Sequence, residues 1–257
     1  MITRRKFLSG CIGATAALFG LSLLPEYKAV DQLLKSIPVL LYHRVGSETD
    51  DLTISTKRFE EDLASLSQEG YNSLTLAQVK QRLAGNYEQL PDKPVIITFD
   101  DGYLDNYTNA FPLLQKYAMK ASFYIITGMM GNTDRLNSAQ IREMAAAGMD
   151  FGSHTVTHRQ LADLTSQEVN NELKQSKITL EQTLGKPVDF IAYPCGSYRP
   201  DTIQAATHSG YIGGFSTQYG FAAFNNHLAI RRIPVFHNDR SIAYVMLRKG
   251  LLPSMMG

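Results

Sequence analysis

The sequence contains no tryptophan and only two cysteines, Cys11 and Cys195. With no indole available, 13 tyrosines and 12 phenylalanines have to fill the core and line any groove. Cys11 falls in a segment read below as outside the fold, so no structural disulfide is expected. There is no Cys-x-x-Cys pair, which argues against a structural zinc site built from four protein ligands. Charge of one sign is not in excess either. Lys and Arg number 25 against 24 Asp and Glu, a net +1 that gives no reason to expect nucleic-acid binding. What remains is an ordinary globular composition, 44% hydrophobic and 19% charged, in 257 residues. That length allows one large domain or two small ones.

Residues 1–24 read as an export signal or an N-terminal membrane anchor. Arg4, Arg5 and Lys6 make a basic start, and residues 7–24 then carry no charge before Pro25. Thr3-Arg4-Arg5-Lys6-Phe7-Leu8 resembles a twin-arginine export signal; an ordinary secretory signal with two arginines is the alternative. Leu8-Ser9-Gly10-Cys11 looks like a lipoprotein box, but the apolar run follows the cysteine where it should precede it. No small-x-small cleavage site follows Leu24. An uncleaved stretch of about 18 residues could just span a bilayer. Residues 25–36 read as a linker, and 37–257 as one domain.

Within that domain strands and helices alternate without a break. Strands are expected at residues 37–43 (ending at His43), 95–99, 121–126, 149–153, 189–193, 211–215 and 230–236. Helices are expected at 55–70, 76–83, 106–117, 138–147, 165–184, 202–209 and 242–249, with Ser138 capping one and Thr165 with Glu168 forming a capping box on another. Such alternation indicates an α/β protein with a mainly parallel sheet, and about seven strand signals favour a barrel over an open sheet. In such barrels the site lies at the carboxyl ends of the strands. His43, Asp100, Asp101, His154, His158 and Cys195 are all expected there.

Asp100 and Asp101 end the apolar run Val95-Ile96-Ile97-Thr98-Phe99. Two adjacent carboxylates at a strand mouth repel, so a metal ion or a split into ligand and base is needed to stabilise them. A plain Asp-Gly turn is the structural alternative. His154 and His158 are four apart at another strand end. One carboxylate with two imidazoles leaves open positions, which is the pattern of a catalytic zinc site.

Thr98-Phe99-Asp100-Asp101-Gly102 together with His154-Thr155-Val156-Thr157-His158 resembles the first two motifs of the NodB-like polysaccharide deacetylases, carbohydrate esterase family 4. The resemblance covers about residues 37–240. It implies a distorted (β/α)7-type barrel in a single catalytic domain. It also implies hydrolysis of N-acetyl groups on sugars with one divalent ion, Zn2+ first, with Co2+ or Ni2+ as alternatives. By position, Asp101, His154 and His158 are the implied metal ligands and Asp100 the implied general base.

The third family motif usually reads Arg-x-Pro-Tyr-Gly; here it is Ala192-Tyr193-Pro194-Cys195-Gly196. Ala192 stands where an arginine usually supports the base, which leaves the tuning of Asp100 open. Cys195 replaces the tyrosine whose backbone N–H is the implied oxyanion donor, and a cysteine backbone still supplies one. Its thiol is read as a small filler of the groove wall, since nothing nearby in the sequence activates it. Tyr193, Pro194, Gly196 and Arg232 are assigned to the substrate groove. The Asp-Trp pair of the fourth motif is absent. For the fifth, Leu-x-His, both His237 and His227 are candidate acids, with surface histidines as the alternative.

Three stretches resemble the branch that deacetylates poly-β-1,6-N-acetylglucosamine of biofilm matrix. They are Pro38-Val39-Leu40-Leu41-Tyr42-His43-Arg44-Val45, the third motif, and Arg232-Ile233-Pro234-Val235. His43 resembles a site histidine of that branch; a histidine capping a strand end is the other reading. The resemblance implies an N-acetylglucosamine-containing polysaccharide as partner, a monomer is expected, and the signal at residues 1–24 points to export to the periplasm or cell envelope. The alternatives are a deacetylase of peptidoglycan or another envelope glycan, and a non-catalytic glycan-binding protein with a degenerate site.

Overall fold

Val39-Leu40-Leu41-Tyr42 and Val95-Ile96-Ile97-Thr98-Phe99 are buried at every position. That is the pattern of parallel strands covered on both faces. The structure, a computed structural model, describes residues 36–85 and 90–256. The export-signal or anchor reading of residues 1–24 and all of the linker except Ser36 lie outside the described residues. The compact unit spans residues 37–257.

In chain order it comprises β1 (Val39–Tyr42), β2 (Arg44–Val45), β3 (Thr53–Ile54), α1 (Thr56–Gln68), β4 (Asn72–Ser73), α2 (Leu76–Leu83) and β5 (Pro94–Phe99). A π turn (Asn106–Ala110) leads into α3 (Phe111–Lys116), followed by β6 (Ser122–Ile125), α4 (Ser138–Ala146), β7 (Asp150–Ser153), α5 (Ser166–Leu184) and β8 (Phe190–Ala192). Then come α6 (Pro200–His208), β9 (Gly213–Tyr219), β10 (Ile230–Pro234), α7 (Ile242–Val245), a π segment (Met246–Leu251) and α8 (Leu252–Met256).

The main sheet runs β1-β10-β9-β8-β7-β6-β5 and closes because β5 also pairs with β1, Val39 opposite Ile96 and Tyr42 opposite Phe99. Every pairing around this seven-stranded barrel is parallel. β4 adds to the start of β5, and β2 pairs with β3. The expected α/β barrel is therefore observed. Its interior is filled from alternate strand positions by Val39, Ile96, Tyr124, Phe190, Ala192, Phe215 and Ile230. Gly152 is required there, since a Cβ would sit 2.3 Å from Tyr124 Cε1 and 2.9 Å from the Phe190 carbonyl.

Several boundaries differ from the expectation. Asn137, not Ser138, caps α4: its Oδ1 accepts from the Ala139 and Gln140 N–H groups, and Gln140 reaches back to the Asn137 N–H. α6 starts at Pro200, whose missing N–H costs nothing in a first turn. The helix expected at 242–249 continues through the π segment to Met256. Thr165 and Glu168 form the expected capping box of α5. Among the described residues no helix is long and apolar enough to cross a membrane.

Candidate active site

Three turns at the carboxyl ends of the strands carry these residues, and each contains a non-glycine residue in the left-handed region. The residues are Asp101 after β5 (φ 72°), Thr155 and His158 after β7 (φ 66° and 63°), and Cys195 after β8 (φ 54°). Such conformations cost energy and persist where the surrounding structure enforces them. After β5, the left-handed Asp101 and Gly102 reverse the chain at once. The two neighbouring carboxylates consequently meet different partners.

Asp101 meets the two histidines. Its Oδ1 lies 3.3 Å from His154 Nε2 and 3.3 Å from His158 Nε2. The ligand atoms of the three residues all fall within 4.8 Å of one another. Yet Asp101 Oδ1 is buried and makes no hydrogen bond, so the three atoms converge on a point without satisfying each other. His154 Nδ1 lies 2.7 Å from the Ala192 carbonyl, which fixes Nδ1 as the donor and leaves the Nε2 lone pair facing Asp101. Burial pushes the Asp101 carboxyl up, but His154 and His158 outweigh it and hold the group far below the usual carboxylate range. Burial pushes His154 down, and Asp100 and Asp101 more than reverse this. One carboxylate oxygen, two imidazole nitrogens, an orphaned buried acceptor and an excess of negative charge fit a divalent cation with positions left open.

Asp100 meets Arg232, and this corrects the assignment of Arg232 to the substrate groove. The arginine is fully buried, at 0% exposure. Its Nη1 and Nη2 donate to Asp100 Oδ1 and Oδ2 at 2.8 and 2.7 Å, Nε donates to the Ser216 carbonyl at 2.8 Å, and Nη1 also reaches Thr98 Oγ1 at 3.3 Å. Tyr124 and Phe215 flank the guanidinium. Burial raises the Asp100 carboxyl, but Arg232 and His154 prevail and keep it below its ordinary value. The support missing at Ala192 on β8 thus comes from β10. Its signal was in the sequence: Ile230 and Arg232 share one face of a strand, and an arginine facing a barrel interior needs a carboxylate there.

The third motif forms a tight turn. Gly196 (φ 66°) packs against β9 so closely that a Cβ would lie 2.1 Å from Thr217 Oγ1 and 2.9 Å from the Thr217 nitrogen. Cys195 is exposed, and its N–H has no hydrogen-bond partner among the described residues. Burial of its sulfur and the charge of Asp101 push the thiol up, away from reactivity. Tyr193, expected in the groove, is instead fully buried against Tyr198, their ring centroids 5.2 Å apart. Pro194 is buried as well, whereas Gly196 is half-buried.

The histidines separate by position. His43 follows β1 and faces Asp100, Asp101, Arg232 and His154; its Nδ1 is buried without a partner, and burial lowers its pKa. His237, beyond the carboxyl end of β10, has Nδ1 2.9 Å from the Thr53 carbonyl. His227 precedes β10 and so lies at the amino end of the barrel, roughly 17 Å of strand from the site. That rules it out as the acid. Sequence reasoning also missed Glu172 of α5, which holds the loop carrying His158.

Comparison with known proteins agrees with this geometry. The sequence profile of the family described as polysaccharide deacetylase matches residues 87–213. YxkH of Bacillus subtilis (strain 168), a protein named for the polysaccharide deacetylases, is 36% identical over 200 residues, 77% of this chain and 71% of YxkH. A poly-beta-1,6-N-acetyl-D-glucosamine N-deacetylase of Staphylococcus epidermidis is 29% identical over 75% of this chain and 76% of its own. The structure of the Streptococcus pyogenes deacetylase PplD in complex with acetate superposes with a TM-score of 0.77 at 34% identity, covering 83% of this chain and 97% of that one. Barrel, paired carboxylates, histidine pair and relatives agree, and the chain belongs to the polysaccharide deacetylase family of hydrolases.

Proposed function

We propose that the chain removes acetyl groups from N-acetylglucosamine units of an exported polysaccharide, poly-β-1,6-N-acetylglucosamine first among them. The observation that carries this reading is the Arg232–Asp100 pair. It stands in the Arg232-Ile233-Pro234-Val235 stretch that resembles the poly-β-1,6-N-acetylglucosamine branch, and it restores the charge support that Ala192 lacks. The staphylococcal relative of that named activity adds support at 29% identity.

Asp101, His154 and His158 would hold one divalent cation, Zn2+ by their donor chemistry. Bound there, it supplies a Lewis acid for the acetyl carbonyl and acidifies water. The rest falls to the chain's own side chains. Asp100 is the base: each oxygen accepts one Arg232 bond and keeps a second lone pair for the proton of the attacking water. Arg232 keeps it ionised and fixed in direction. The Cys195 N–H, without a partner among the described residues, is the donor left over for the developing oxyanion. A proton must then reach the leaving amine. His43, beside Asp100 and with a free ring nitrogen, is better placed than His237 to pass it, and Asp100 itself can return the one it took.

Export by the twin-arginine route would deliver a folded, loaded enzyme to the periplasm or envelope, residues 7–24 serving as signal or anchor. Fusing residues 1–36 to a reporter and blocking each export pathway in turn tests the route.

Acetate release from the purified protein tests the activity, with β-1,6-linked N-acetylglucosamine oligomers, chitin oligomers and peptidoglycan compared with and without chelator. Chelator-sensitive release that favours the β-1,6 oligomers is expected. Preferred release from peptidoglycan would favour an envelope-glycan deacetylase, and glycan binding without acetate release would overturn the enzymatic reading.

A further inference from the structure

The two histidines of the metal centre are aimed in different ways. His154 is buried, and its ring is tied through Nδ1 to the Ala192 carbonyl. His158 is 31% exposed, and among the described residues its ring has no such second bond. Beside Asp101, among the described residues, the ring meets the edge of His154, ring centroids 4.8 Å apart. Its direction therefore depends on its backbone.

That backbone is held by a buried carboxylate from another element. Glu172 of α5 is 8% exposed. Its Oε2 accepts the N–H groups of Val156 and Thr157 at 2.8 and 2.9 Å, and its Oε1 accepts the Thr157 hydroxyl at 2.5 Å. Two successive N–H groups aimed at one anionic oxygen form a nest, here filled by a side chain. The bonds fall on the two residues immediately before His158. They lie between Thr155 and His158, both left-handed, with the Thr155 hydroxyl accepting the His158 N–H at 3.1 Å. The loop's ties to the Thr127 and Gly128 N–H groups, the Thr127 hydroxyl and the Ser153 hydroxyl are neutral bonds. Those to Glu172 are charge-assisted and the stronger set.

We propose that Glu172 is a positioning residue of the metal centre, its carboxylate locking residues 156–158 so that His158 stays aimed beside Asp101 and setting how tightly the cation is held. The proposal rests on the metal-centre reading above.

Full-length protein stripped with chelator is titrated with Zn2+ against a chromophoric competitor and, separately, loaded with Co2+ for its d–d absorption. Glu172→Ala removes all three bonds. It is expected to weaken zinc binding about 10- to 100-fold, the range for losing an outer-shell partner, and to alter the cobalt spectrum. Glu172→Gln keeps an acceptor for both N–H groups and is expected to restore most of the affinity. Thr157→Val, at an exposed position, removes one bond and gives a smaller loss in the same direction. It carries the test should Glu172→Ala not fold. Folded variants with wild-type zinc affinity and cobalt spectrum overturn the clamp, whatever happens to their stability. Wild-type protein that binds neither metal overturns the metal centre itself, and the clamp with it.

Discussion

Arg232 and Asp100 lie 132 residues apart in sequence and face each other inside the barrel as a two-point ion pair, at 2.8 and 2.7 Å. Arg232→Met leaves Asp100 as a buried, uncompensated charge. A loss of about 3–5 kcal/mol is expected from breaking one side of such a pair, read as a shift in the denaturation midpoint, together with loss of turnover. Replacing both residues, Arg232→Met with Asp100→Leu, should recover much of the stability and none of the activity. A double variant no more stable than the single one would show that packing, not charge, was lost.

Base and ligand can be separated by substitution. Asp100→Asn should abolish acetate release while metal content stays at the wild-type level. His154→Ala should lose both, because it removes a ligand whose ring is also anchored to β8. Metal analysis beside turnover decides between them, and normal turnover in Asp100→Asn would refute its role as base.

Cys195 is expected to act through its main chain. Cys195→Ser and Cys195→Ala should keep turnover, and alkylation of the wild-type thiol near neutral pH should be slow because the group is held above its ordinary pKa. Cys195→Val should lower stability by about 1–2 kcal/mol, since a β-branched residue resists the left-handed conformation found there. Inactivity of the serine variant would point to a chemical role for sulfur.

The cap of α5 should make stability depend on acid. Hydrogen bonds from Thr165 and then Arg159 lower the Glu168 carboxyl from 4.5 to about 2. A depressed folded value means that its contribution is complete above about pH 4.5 and fades as the pH falls towards 2. The gap in melting temperature between wild type and Glu168→Gln should therefore be open at neutral pH and close over that window. A gap independent of pH would exclude the charge as its source.

The readable parts of this protein were those whose chemistry is local. Asp100 and Asp101 were legible because an apolar strand cannot end in two carboxylates without partners. Thr165 and Glu168 were legible because a capping box has fixed spacing. Arg232 was not, because its meaning lies in a carboxylate 132 residues away; only its place on the inward face of a strand gave a sign. Tyr193 was misplaced because the strand before the turn buries it. The π segments were not legible either, since one extra residue per turn leaves the same apolar composition. Glu172 escaped because an acid on a helix reads as solvated until a neighbouring loop is seen to cover it.

In the closed ring the first strand, β1, pairs with the last, β10, Leu40 lying opposite Ile233, so the seam joins segments far apart in sequence. Closure therefore has to wait for a contact of very long sequence separation, the kind that slows folding most. Until β10 arrives, Asp100 has no guanidinium, and the interior beside Tyr124 and Phe215 is open to water. The last strand of the barrel in sequence is thus also the one that makes the acid tolerable, which ties completion of the barrel to completion of the base. A nascent chain short of residue 230 carries every motif residue of the three strand-end turns and yet lacks the guanidinium that pairs with the Asp100 carboxylate.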